Sequence, residues 1–191
     1  VIDNSSFHRM DKDVPLIVPQ VNSDDLKNIK KNIVANPNCS TAQLVIALKP
    51  LHDLFTIKRV VVSTYQAVSG AGKPAMDELF NQTKGVFVHD QAKPEQFTKK
   101  IAFNVIPQCD VFLENDFTKE EMKVAWETKK ILDPNIPVQS TCVRVPVANG
   151  HSEAVFLRTE NKTTKANIHE LLMQTKGIKL IDNPSNNDYP T

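Results

Sequence analysis

The sequence predicts an α+β fold: a mixed, largely antiparallel sheet with helices packed on one face. Three observations carry that expectation. β-Branched and aromatic runs at 59–65, 138–146 and 152–159 read as strands. Between them lie stretches with apolar residues at helical spacing, such as Leu44, Ala47, Leu48 and Leu51. The two kinds of segment alternate along the chain, with no internal repeat and no low-complexity stretch. At 191 residues, 40% of them hydrophobic, the chain is long enough to bury a real core.

The elements follow in order. Residues 4–32 are polar and irregular. Val14-Pro15-Leu16-Ile17-Val18-Pro19 is extended, because two prolines exclude both a helix and a central strand. Asp24 and Asp25 suit the first turn of a short helix reaching Ile29, and Ile33-Val34-Ala35 reads as a short strand. A turn at Asn36-Pro37-Asn38 opens a helix at about Ser40, which Pro50 to Leu54 should end. Arg59 to Tyr65 is a buried strand, Gln66 to Pro74 a glycine-bearing loop, and Ala75 to Gln82 a helix. Ile101 to Ile106 suggests an edge strand. Thr118-Lys119-Glu120-Glu121 is a capping box for a helix to Leu132, its register set by Met122, Ala125, Trp126 and Lys129 to Lys130. The strand at 138–146 should turn Thr141, Val143 and Val145 to one face. After Asn149-Gly150 comes a strand from Ser152 to Thr159, then a helix from Asn167 to Lys176 capped by Gly177, then a last short strand at Ile178–Ile181.

Composition excludes several classes. A net charge of +1 gives no electrostatic case for nucleic acid or an anionic membrane, and no apolar run approaches the ~20 residues of a membrane span. Three irregularly spaced cysteines, Cys39, Cys109 and Cys142, suggest neither a disulfide framework nor a metal site. Reduced thiols in a cytoplasmic setting are the simplest account.

Cys39 is the outstanding candidate for chemistry. It sits at or just before a helix N-terminus, where free backbone N–H groups and the helix dipole favour a thiolate and can hold an oxyanion. The competing reading is a small buried apolar residue at a helix start. A cysteine enzyme needs a base, and His151 is the most suggestive: it opens a strand seven residues after Arg144. A surface-loop histidine is the alternative there. His8, His52, His89 and His169 have no comparable setting. Glu120 and Lys123, three apart, can face one site together, or form a solvated pair on a charged helix. Arg9 follows a serine-rich loop and could hold a phosphate bidentately. Gln66 ends a buried strand and could position a substrate. Gly70-Ala71-Gly72-Lys73 lacks the spacing of a phosphate loop.

The chain also resembles aspartate-semialdehyde dehydrogenase along its whole length. The matching pieces are Asp3-Asn4-Ser5-Ser6 with Arg9-Met10, Val14-Pro15-Leu16 with Val18-Pro19, Asn36-Pro37-Asn38-Cys39-Ser40-Thr41, Tyr65-Gln66-Ala67-Val68-Ser69-Gly70-Ala71-Gly72, Glu120-Glu121-Met122-Lys123, Arg144-Val145-Pro146 with His151, and Asp182-Asn183-Pro184. The resemblance implies a fold like the catalytic domain of glyceraldehyde-phosphate-dehydrogenase-type enzymes. The implied reaction is the NADP-dependent interconversion of L-aspartyl-4-phosphate and L-aspartate 4-semialdehyde, on the route to lysine, methionine, threonine and diaminopimelate. Carried over by position, Cys39 is the nucleophile, His151 the acid/base, and Gln66 orients the thioacyl intermediate. Arg144 takes the substrate's α-carboxylate and Glu120 its amino group. Arg9 and Lys123 take the phosphate, and Asn38 borders the cysteine. Ser69 and Gly70 are the cofactor contacts. The family also implies a homodimer or a dimer of dimers.

No glycine-rich dinucleotide turn is present, so the resemblance implies that the main NADP segment lies outside this chain. Residues 1–36 are expected to be the tail of a Rossmann domain, and 37–191 a catalytic and dimerisation domain cut short at its C-terminal end. A chain so composed is expected to bind NADP poorly and to turn over negligibly by itself. Another acyl-phosphate reductase and a non-catalytic dimerisation module are the alternatives.

Overall fold

The computed structural model describes residues 1–89 and 92–191, which form two compact units interleaved along the chain. The first comprises Val1–Arg59, Glu127–Ile136 and Leu157–Thr191. Its β1 (Ile2–Asp3) and β2 (Val34–Ala35) pair in parallel, and Leu16 bridges to Ala35 from the extended, proline-bounded segment. The short helix α1 (Pro19–Asn22) follows that segment, and the 24–29 region forms a 3-10 turn at Ser23–Asn28. Val14, Leu16, Val18, Ala35, Val45 and Ile131 make the core.

The long helix of this unit, α2 (Cys39–Phe55), begins one residue before the expected position and runs through Pro50. Leu44, Val45, Leu48, Leu51 and Phe55 are buried at helical spacing. An interior proline costs about 3 kcal/mol, whereas burying Leu51 and Phe55 returns roughly 1.5–3 kcal/mol each, so the apolar stripe carries the helix past it. It ends at Thr56, which has φ +54°. Helix α5 (Lys165–Gln174) packs on α2, and Gly177 has φ +92°, a left-handed turn that glycine adopts without strain.

The second unit comprises Val60–Trp126 and Pro137–Phe156. Its sheet contains β3 (Ile57–Gln66), β4 (Val138–Arg144) and β5 (Ser152–Thr159) in the order β4-β3-β5. Strands β3 and β4 pair in parallel from Val60↔Val138 to Gln66↔Arg144, while Ile106 bridges Arg144 antiparallel. The α+β class and the mixed sheet are as expected. A parallel pair needs a long crossover, and the intervening chain supplies one, containing α3 (Lys73–Phe87) and α4 (Lys119–Ile131). The capping box at the head of α4 is reciprocal: Glu121 N–H donates to Thr118 Oγ1, and Thr118 N–H to Glu121 Oε2.

Several local expectations are corrected. Residues 101–106 form no strand, because the Ile101 and Ala102 N–H groups donate to the Gln82 side chain instead of a ladder. Residues 178–181 are irregular. On β4 Thr141 and Val143 share one face, as expected, and the alternate residues Ser140, Cys142 and Arg144 form the buried one. The head of α4 covers that polar face: Ser140 Oγ donates to the Glu121 carbonyl and Cys142 N–H to Glu121 Oε1. Trp126 is half exposed, while Val124, Ala125, Thr128 and Ile131 face inward.

Candidate active site

In the first unit the site is built around the start of α2. Asn38 is its N-cap: the side-chain oxygen accepts from the Ser40 and Thr41 N–H groups at 3.0 and 3.3 Å. Cys39 is therefore the first helical residue, and it is exposed, whereas Cys109 and Cys142 are buried. The Asn38 N–H donates at 2.6 Å to Glu127 Oε2. The other oxygen of Glu127 accepts from Arg9 Nη1 at 3.1 Å. Arg9 is pinned further by donating from Nε to the Ser5 carbonyl and from Nη2 to the Asn4 carbonyl. Burial pushes the Glu127 carboxyl above its ordinary range, against the opposing pull of the Asn38 amide and Arg9.

In the second unit the remaining candidates gather at the carboxyl ends of β3 and β4, where Gln66 and Arg144 are register partners. Gln66 Nε2 donates to Glu120 Oε1 at 3.2 Å and to Thr64 Oγ1 at 3.3 Å. Lys123 donates to Glu120 Oε2 at 3.3 Å and to Asp110 Oδ2 at 2.6 Å. Burial alone would lower the Lys123 pKa, but the Asp110 hydrogen bond and the two carboxylates outweigh it and raise it. The ammonium is thus held charged.

Ala67 ties two further candidates together with one residue. Its carbonyl accepts from Arg144 Nη1 at 2.7 Å, and its N–H donates to His151 Nδ1 at 3.1 Å. Arg144 is only 8% exposed, and its Nε is buried with no hydrogen-bond partner among the described residues. It lines a cavity of about 230 Å³ with Thr98, Gln108, Cys109 and Asp110. A guanidinium is a fixed cation with several donors, the kind of group that can hold an anion. His151 is held below the ordinary imidazole pKa, first by burial and then by the Arg144 charge.

Ser69 and Gly70 lie in the 3-10 turn Val68–Ala71. The Ser69 and Gly70 N–H groups donate to the Ala148 and Ala67 carbonyls, so those two amides are not available to cradle a phosphate. A Cβ on Gly70 would lie 3.2 Å from both Arg144 Nη1 and His151 Nε2. Gly70→Ala is therefore expected to displace those two side chains by a few tenths of an ångström. Because misplacement near the chemistry is costly, kcat/KM should fall on the order of tenfold with little change in melting temperature. Steady-state rates set beside a thermal melt check this.

The sequence model of the semialdehyde dehydrogenase dimerisation domain matches residues 48–191. The chain belongs to the semialdehyde dehydrogenase family. The model of the family's NAD-binding domain matches residues 1–29. An aspartate-semialdehyde dehydrogenase of Aquifex aeolicus is 54% identical over the whole chain, which covers 57% of that relative. A crystal structure of aspartate semialdehyde dehydrogenase II from Vibrio cholerae, described as complexed with ASA, matches with a TM-score of 0.97 at 49% identity. It is covered over 56% of its length. A Candida albicans enzyme described as bound to NADP matches with a TM-score of 0.66 at 28% identity, over 91% of this chain and 48% of its own. The chain thus spans a little over half the length of the curated semialdehyde dehydrogenases it matches.

Set against the residues singled out from the sequence, the family member's structure places Arg9, Asn38 and Cys39 in the first unit. It places Gln66, Ser69, Gly70, Glu120, Lys123, Arg144 and His151 in the second. Three participants were not foreseen: Glu127, Asp110 and the Ala67 peptide. Glu127 had a signal, since it shares a helical face with Val124 and Ile131, and a charge on an apolar face asks for a partner. Asp110 and Ala67 had none, because their contacts are set by tertiary folding.

Proposed function

We propose that the chain is the catalytic portion of an NADP-dependent aspartate-semialdehyde dehydrogenase. Residues 1–36 would be the end of its nucleotide-binding domain, and 37–191 its catalytic and dimerisation domain. The observation that carries this reading is the setting of Cys39: an exposed thiol at N1 of a capped helix, in a chain whose other two cysteines are buried. The positive end of the helix dipole at N1 favours its thiolate. In the biosynthetic direction that thiolate attacks the acyl carbon of aspartyl phosphate. The C–O bond to phosphate breaks, inorganic phosphate leaves, and a thioacyl enzyme forms. After reduction, the thiohemiacetal collapses to aldehyde and thiolate.

The other roles follow from charge. The substrate α-carboxylate goes to Arg144 and the ammonium to Glu120. The phosphate goes to Arg9 and Lys123, since a dianion needs cations. Gln66, held by Glu120 and Thr64, orients the reacting carbonyl with Asn38. His151 handles the proton of the thiol or hemiacetal. The nicotinamide cofactor, when bound, supplies or accepts the hydride. Gly70 is exposed and presents no side chain beside His151, which suits it to border such a group, with Ser69 next to it. The active form is proposed to be a cytoplasmic homodimer, alone or paired into a dimer of dimers. No helix among the described residues is long and apolar enough to cross a membrane.

The test is the alkylation rate of each cysteine against pH, read by peptide mass spectrometry. Cys39 should label rapidly at neutral pH. Cys142, whose thiol burial pushes up to about 12, should stay unlabelled until the chain unfolds, as should the buried Cys109. Equal rates at all three would overturn the reading. In the full-length protein, turnover of aspartate semialdehyde against other aldehydes separates it from neighbouring acyl-phosphate reductases.

A further inference from the structure

We infer that Glu127 is a positioning residue for the reaction proposed above, on which the inference rests. One buried carboxylate holds the Arg9 guanidinium and the Asn38–Cys39 backbone in a fixed relation. Glu127 is 1% exposed and lies in α4 with its two oxygens committed to two different targets, Arg9 Nη1 and the Asn38 N–H. A buried ion pair is a poor route to stability, because desolvation of the charges offsets their attraction. What only the carboxylate does is tie an arginine and the residue before the candidate nucleophile to one rigid helix.

The disposition of Arg9 fits that role. A guanidinium has five N–H donors, and three here are spent on Ser5, Asn4 and Glu127. The two that remain, one on each terminal nitrogen, are left to donate to an oxyanion. Helix α4 also grips the same segment by its main chain. Lys130, one turn beyond Glu127, donates to the carbonyls of Arg9, Asp11 and Val14 at 2.7, 2.7 and 2.8 Å. Lys130 thus orders the backbone, and Glu127 aims the side chain.

The test uses the full-length protein and phosphate-dependent oxidation of aspartate semialdehyde, varying inorganic phosphate. Glu127→Gln keeps an acceptor for the Asn38 N–H but removes the charge that pins Arg9. It should raise KM for phosphate about tenfold or more, with KM for the semialdehyde within about twofold and kcat within about threefold. Glu127→Ala removes both contacts and should lower kcat as well, by about tenfold or more. Lys130→Met is the control for simple loosening of the 9–14 segment. An unchanged phosphate KM in Glu127→Gln overturns the proposal, as does a uniform change matching that of Lys130→Met. Cys39→Ser separates the two ideas. Lost turnover there with an unaffected Glu127→Gln overturns only the role of Glu127. Retained turnover overturns the underlying reaction as well.

Discussion

Cys39→Ser in the full-length protein is expected to lower phosphate-dependent turnover by about 10⁴-fold or more while leaving the fold intact. The size follows from the nucleophile. A hydroxyl in the same place is almost wholly protonated at neutral pH, and loss of a covalent nucleophile removes the pathway itself rather than one stabilising contact. Stability should barely move, because Cys39 is exposed and the helix is capped by Asn38, not by the thiol. Surface substitutions of this kind stay within about 0.5 kcal/mol, a shift of roughly 1–2 °C in melting temperature for a chain of this size. Cys142→Ser gives the opposite pattern. Cys142 is fully buried on β4, so its replacement is felt as stability, with turnover per folded molecule unchanged. Turnover surviving in Cys39→Ser would remove the thioacyl route.

How far the sequence reached depended on whether a feature was local. The capping box at Thr118 is a contact across three residues, and local pattern specifies it. The failures have tertiary causes. Helix α2 runs one residue past the expected limit at Leu54, because buried leucines on either side of Pro50 outweigh its local cost. Residues 101–106 look like a strand, yet a glutamine nineteen residues away takes their N–H groups. On β4 the alternation was legible but not which face is buried: Ser140 and Cys142 face inward, where Glu121 gives them hydrogen-bond partners. At the candidate site, motif resemblance named individual residues but not their couplings. The Glu127 bridge, the Asp110 contact to Lys123 and the shared Ala67 peptide join segments up to 118 residues apart. That spacing bears on mechanism: side-chain identity names an acid or a cation, whereas the coupling decides where it points.

His151→Asn is expected to lower kcat by about 10²- to 10⁴-fold and to remove the acidic limb of the kcat/KM profile. The substitution isolates the chemistry, because the asparagine side-chain oxygen can replace Nδ1 as acceptor for the Ala67 N–H, while nothing replaces Nε2. The position of the limb in the unsubstituted enzyme is set by the surroundings of the ring. Burial disfavours the imidazolium, and the neighbouring Arg144 charge adds to the effect, so the pKa lies below its ordinary value of about 6.5. A proton on Nδ1 would also face the Ala67 N–H. The limb should therefore fall below pH ~6.5, so that the neutral ring persists throughout the neutral range. The same depression has a sign for stability. The unfolded chain binds the histidine proton more readily than the folded one, so this contribution is complete above the unfolded pKa and is lost as pH falls below it. His151→Asn should flatten that part of the stability profile together with the acidic limb. If the limb instead lies above pH 6.5, or survives the substitution, the titrating group is not His151.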